Sequence, residues 1–155
     1  MTAPAPPRLA GLDPGRSKCG LLLADRDSRT VLAAAILPPA AALEQLQHWH
    51  RGGMDLVVLG DGTGSAPWLD QLRRLGIPAE PVNERGTTLA ARRRYWQLEG
   101  QRSWQRWLLP AGLRLPPRDI DDVVAQLLLE RHLGTDLSRN RIKVGRQLER
   151  DRGRP

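Results

Sequence analysis

Residues 9–25, LAGLDPGRSKCGLLLAD, constrain the fold of this chain more than any other stretch. A short apolar run, Leu9-Ala10-Gly11-Leu12, ends on a carboxylate, Asp13. Pro14-Gly15 turns the chain, Arg16 and Lys18 follow, and Cys19-Gly20 lead into a second apolar run, Leu21-Leu22-Leu23-Ala24. Two apolar runs joined by a Pro/Gly segment predict a β-hairpin with a loop longer than two residues. Asp13 then stands where the first strand ends. A carboxylate there is held by the sheet backbone yet exposed at its edge, a good place to anchor a metal ion. Asp-Pro-Gly is also ordinary turn chemistry, so Asp13 alone decides nothing.

The following residues extend the pattern. Strand one spans 8–13, strand two 20–25 and strand three 30–37, an antiparallel meander that Pro38-Pro39 ends. Leu43, Leu46 and Trp49 recur at helical spacing over 40–51, and Gly52-Gly53 stops that helix. The run 55–60, DLVVLG, reads as a strand buried on both faces. A glycine-rich loop, 61–65, and a helix opened by Pro67 follow, then a fifth strand at 79–82 and a helix from Thr87 or Thr88. Strands four and five are each reached through a crossover helix, so they run parallel to strand one. The fold class is α/β: a mixed five-stranded sheet, first three strands antiparallel, with helices on both faces. The stretch 92–107 carries Arg92, Arg93, Arg94, Trp96, Trp104 and Trp107, with Gly100 as a dividing point, and 110–118 is a proline-rich connector. Asp119 to Leu133 is a helix with an acidic start that suits its dipole.

Residues 1–7 read as a loose arm, 8–133 as one domain, and 134–155 as a basic, flexible tail, within a chain of 155 residues. The formal net charge is +7, and Lys18 and Lys143 are the only lysines beside many arginines. Arginine matches phosphate with two parallel hydrogen bonds, so the charge favours a polyanionic partner. Cys19 is the single cysteine, which excludes an internal disulfide and fits a reducing compartment. The N-terminus lacks the pattern of a secretory signal, and the most apolar stretch is broken by Pro38-Pro39. A cytoplasmic protein without membrane partners is expected.

In a sheet of this order, Asp13, Asp61 and Glu84 close strands one, four and five at one edge. The helix carrying Asp119, Asp121 and Asp122 can bring its first turn to the same edge. Clustered carboxylates repel and need a compensating cation. Mg2+ (or Mn2+) favours oxygen ligands, and a pair of such ions about 4 Å apart can activate water against a phosphodiester. Singly, each acid reads as a strand-end or capping residue, Asp119 above all.

The stretches LAGLDPGRSKCGLLLAD, VVLGDGTG, VNERGTTLAARR and RDIDDVVAQLLLERHL together resemble the YqgF family of RuvC-like, RNase H-fold nucleases over residues 8–133. The family carries its first acid in a G-[LF]-D-x-G-x-x-x-x-G setting, a D-E-R-x-[ST]-T segment, and I-D or V-D before an apolar helix. Asp13, Glu84 and Asp121 occupy the matching positions, whereas Asn83, Gly86 and the short 60–65 loop depart from the pattern. Alignment to RuvC resolvases, whose last helix carries D-x-x-D, selects Asp119 and Asp122 instead, with Asp61 near the strand-four acid. The resemblance implies an RNase H-like fold and a divalent-metal nuclease that trims the 5′ end of small-subunit rRNA precursor, or a Holliday junction resolvase-like enzyme. Asp13, Glu84 and Asp121 are then the catalytic metal ligands, with Asp61, Asp119 and Asp122 as further candidates. Arg16, Lys18, Arg85, Arg92, Arg93 and Arg94 are candidate nucleic-acid contacts, RNA before DNA, in a monomer or homodimer. A non-catalytic nucleic-acid-binding module is the alternative. An actin-like phosphotransferase shares the Asp-x-Gly hairpin but needs a second domain copy.

Overall fold

The structure, a computed structural model, describes residues 7–98, 118–139 and 144–146. The arm before Pro7, the stretch holding Gly100, Trp104 and Trp107, most of the proline-rich connector and the end of the tail lie outside the described residues.

The predicted hairpin forms from β1 (Arg8–Asp13) and β2 (Cys19–Asp25), with β3 (Thr30–Leu37) completing the antiparallel meander. Helix α1 (Pro39–Arg51) crosses over to β4 (Met54–Gly60), and α2 (Ser65–Arg74) to β5 (Ala79–Val82). β4 pairs parallel with β1, and β5 parallel with β4. Then come α3 (Thr87–Leu98) and α4 (Asp121–Leu133). The sheet order is β5-β4-β1-β2-β3-β6, so β1 is central and flanked by β2 and β4. Its first five strands are ordered and directed as the RNase H-like expectation requires.

The sheet has six strands, not five. β6 (Val144–Arg146) pairs parallel with the outer edge of β3, from the segment expected to be a loose tail. Ahead of it, Val31 N–H donates to Ser138 O at 2.9 Å and Ser138 N–H to Arg29 O at 2.8 Å. β3 would otherwise present an unpaired edge, and these residues satisfy it. Leu137 is buried, so residues 134–139 belong to the fold, and the expected boundary at 133 moves outward. The basic composition of 134–155 taken as a whole hid this.

Side-chain alternation splits the core into two layers. Ala10, Leu12, Leu21, Leu23, Val57 and Leu59 face α1 and α2, where they meet Ala42, Leu46 and Leu72. Leu9, Leu22, Ala24 and Val58 face α4, where they meet Ala125 and Leu129. Each fully buried leucine contributes about 1.5–3 kcal/mol.

Asp13 shares the parity of Leu9 and Gly11, so it stands on the α4 face. That helix comes closer to the sheet than side chains normally permit. A Cβ on Gly11 would strike the carbonyl of Ala125, and one on Gly20 the carbonyl of Asp121. Asp121, Ala125 and Leu129 follow each other at one-turn spacing and lie on this contact line. At its far end α4 stops at Gly134, whose φ of 69° suits glycine and whose N–H bonds Glu130 O at 2.8 Å.

Gly11→Ala and Gly20→Ala are each expected to destabilise the protein by about 3 kcal/mol, because backbone rather than a flexible side chain blocks the added methyl. Gly52→Ala is the control, since its nearest neighbour would be Trp49 O at 3.4 Å. Urea unfolding checks this: equal stability of all three variants would refute the backbone contact.

Candidate active site

The register fixes what surrounds Asp13. Gly20 is its partner on β2. On the other side Leu12 pairs with Leu59, so Gly60 comes next along β4 beside Asp13. Strands lie about 4.8 Å apart, so both glycines are close neighbours of the carboxylate. Over Gly20 lies the first turn of α4 with Asp121. Over Gly60 and Gly62 lies the Glu84 side chain, whose carboxylate fills the space a Cβ at either glycine would need. Glu84 and Asp121 therefore flank Asp13 from opposite sides.

The loop after β4 holds Glu84 in place. Asp61 N–H donates to Val82 O at 2.9 Å, and the Asp61 side chain accepts the Glu84 N–H through Oδ1 at 3.2 Å. The Thr87 hydroxyl donates to Glu84 O at 2.7 Å, and Ser65 Oγ to Gly62 O at 2.7 Å. Asp61 thus acts on the backbone of Glu84, and Thr87 closes the turn between Glu84 and α3. A small cavity lies beside Glu84, lined by Pro14, Gly60, Gly62, Thr63, Gly64 and Ser65.

The electrostatics follow from this crowding. The Asp13 carboxyl is pushed up from 3.8 to about 7, first by burial, then by the charges of Asp121 and Glu84. Burial also raises Asp121, against the opposing pull of Lys18. Lys18 Nζ sits 2.8 Å from Asp119 Oδ2 and 3.7 Å from Asp121 Oδ2. These contacts raise Lys18, the hydrogen bond to Asp119 most. Burial pushes the Cys19 thiol up as well, so it stays protonated on the opposite face of the sheet.

The donor chemistry suits a hard cation: carboxylate oxygens in excess, with their repulsion uncompensated at Asp13. Among the described residues, no three Asp, Glu, His or Cys side chains stand close enough to enclose an ion as they are oriented. As oriented, Asp121 contacts Lys18 and the Glu84 carboxylate lies over Gly60 and Gly62. The residues fit such an ion in donor type and in their placement around Asp13.

Two sequence candidates are engaged elsewhere. Asp122 is 0% exposed and turns away from the edge. Its Oδ1 lies 2.8 Å from Arg118 Nη1, and its Oδ2 2.5 Å from Arg139 Nη1. Arg94, expected on nucleic acid, instead donates to Glu130 Oε1 at 3.1 Å and Leu137 O at 3.3 Å. Arg16, Arg85, Arg92 and Arg93 remain exposed, and Asp119 is exposed beside Lys18.

The sequence reading missed the network that Asp122 belongs to. Asp122, Gln126 and Glu130, one turn apart on α4, form a buried polar row in an otherwise apolar helix. Gln126 Nε2 donates to Glu130 Oε1 at 3.0 Å, Arg139 Nε to Gln126 Oε1 at 2.9 Å, and Leu137 N–H to Glu130 Oε1 at 2.8 Å. The available signal was the four-residue spacing of these polar residues among valines and leucines.

Asp13 yields a pH prediction. Its folded value, about 7, lies above its unfolded value of 3.8, so the folded state holds the extra proton. Stability is therefore lost as pH rises from about 4 through 7. Asp13→Asn removes this cost and, without divalent ions, is expected to stabilise the protein at pH 8 by about 1–3 kcal/mol after solvent screening. The gain vanishes below about pH 4. Chemical denaturation in EDTA measures it, and a variant no more stable than wild type at pH 8 contradicts the coupling.

No family model and no curated protein sequence matches this chain. Among solved structures, T. thermophilus RuvC in complex with Holliday junction substrate aligns over 84% of this chain and 98% of that chain. Identity is 17% and the TM-score 0.49, a distant likeness from which no activity is transferred.

Proposed function

We propose that this chain is a divalent-metal-dependent phosphodiester hydrolase acting on structured nucleic acid. One observation carries the reading: at one sheet edge the part-buried Asp13 carboxylate is crowded by Asp121 and Glu84, carboxylates from two other segments, whose charges both raise it. Carboxylates brought together against their own repulsion are a mark of functional rather than structural design. The net charge of +7 around this acidic centre supplies the complementary attraction for a polyanion.

Asp13, Glu84 and Asp121 would hold the cation, with Asp119 as a further candidate through its shared contact with Lys18. A bound ion of this kind polarises a phosphate and makes water a better nucleophile at neutral pH. The chain's own groups do the rest. Asp13 holds a proton near neutrality until its neighbours are compensated. Asp61 fixes the backbone of Glu84. Arg16, Lys18 and Arg85, on the loops around the edge, bind backbone phosphates; Lys18 exchanges Asp119 and Asp121 for phosphate as it does so. Arg92 and Arg93 extend the contact surface along α3.

The finer assignment is 5′-end trimming of small-subunit rRNA precursor in the cytoplasm with Mg2+. It rests on the YqgF-like motifs in residues 8–133. Branched DNA is the rival substrate. A second reading, nucleic-acid binding without cleavage, is favoured by the Lys18 ammonium already neutralising Asp119 and Asp121.

Wild-type protein with Mg2+ or Mn2+ is expected to cut precursor rRNA fragments or four-way DNA junctions. Asp13→Asn and Glu84→Gln are each expected to slow cleavage by at least about 100-fold while keeping binding within about threefold. Gel assays of both substrates measure this. Tight binding with no cleavage by intact protein supports the binding module instead.

A further inference from the structure

We propose that Arg139 is a positioning residue for the candidate cation site, acting through Asp122 on Asp121. The proposal rests on the reading of Asp13, Glu84 and Asp121 as that site. Asp121 and Asp122 are consecutive in the first turn of α4, so a backbone shift that carries one Cα carries the other. Asp121 faces the sheet edge and Asp122 the interior, where Arg139 Nη1 meets it at 2.5 Å with the Arg139 side chain 4% exposed.

The first turn of α4 is seated on Gly20 through its backbone, and side chains add the remaining ties. Ile120, at the N-cap, makes no side-chain hydrogen bond to the helix. Its carbonyl accepts the N–H groups of Val123 and Val124, at 2.9 and 3.0 Å. Arg118 binds Asp122 at 2.8 Å from the bend immediately before the helix, with its guanidinium over the Tyr95 ring of α3. Arg139 adds a tie from another element. Its neighbour Ser138 is hydrogen-bonded into the edge of β3, whereas Leu137 N–H and Arg139 Nε donate to Glu130 and Gln126 further along α4. Arg139 therefore links the first turn of α4 to the far edge of the sheet and, together with the contact on Gly20, limits how the Asp121 backbone moves relative to Asp13.

Mn2+ binding to the full chain, followed by electron paramagnetic resonance, tests this. Arg139→Gln is expected to weaken Mn2+ affinity about 10-fold or more, as loss of a group orienting a ligand does, while cooperative unfolding is retained. Arg139→Lys, which keeps the charge, is expected to recover a large part of the affinity. Folded Arg139→Gln protein that binds Mn2+ within twofold of wild type overturns the proposal alone. Wild-type protein that binds no Mn2+ overturns the cation-site reading and this proposal with it. Should Arg139→Gln not fold, the double variant Asp122→Asn/Arg139→Gln leaves a neutral pair in place. Weakened Mn2+ binding in that protein supports positioning, and wild-type affinity overturns it.

Discussion

Helix α4 rests on the sheet backbone to backbone, and the candidate site depends on that contact. Gly11 and Gly20 carry no side chain, so the carbonyls of Ala125 and Asp121 occupy the space above them. Gly20 is the strand partner of Asp13. A helix seated on Gly20 through Asp121 must place that acid beside Asp13. The same device recurs on the other side, where Gly60 and Gly62 leave room for Glu84. Glycines at the ends of β2 and β4 are thus what allow two carboxylates to crowd a third.

Such crowding costs folding free energy, and Asp13 shows it by holding its proton to about 7. Packing on both faces of the sheet offsets the cost. The other face of α4 carries its own charges, Asp122 and Glu130, but compensates them internally with Arg94, Arg118 and Arg139. Removing one partner of a buried pair typically destabilises by about 3–5 kcal/mol, so these arginines are committed to the fold. One helix therefore presents an acid paired only with the half-exposed Lys18 at the edge and a fully buried, arginine-compensated one inside, at adjacent positions.

The hairpin, the strand directions and the positions of Asp13 and Glu84 at or just past strand ends were legible because apolar runs, turns and crossovers leave few topologies. Asp121 came from the family-like motif, and the structure places its backbone over Gly20, the strand partner of Asp13. Asp122 was not separable by type, since neighbouring aspartates look alike until the helix faces are known. The ion pair of Arg94 with Glu130 was hidden for a related reason: a guanidinium on a surface and one over a buried carboxylate have the same sequence signature. β6 escaped because Ile142 and Val144 are a brief apolar alternation in an arginine-rich tail, and what recruits Val144 is the unpaired edge of β3, a property of the assembled sheet.

The central claim is that Asp13, Glu84 and Asp121 share one cation-binding point. Carbon-13 NMR of the side-chain carboxyl groups during a Mg2+ titration tests it most directly. The account predicts that the resonances of these three residues move along one common saturation curve while that of Asp122 stays still. Independent curves for the three, or a response confined to other carboxylates, would contradict it.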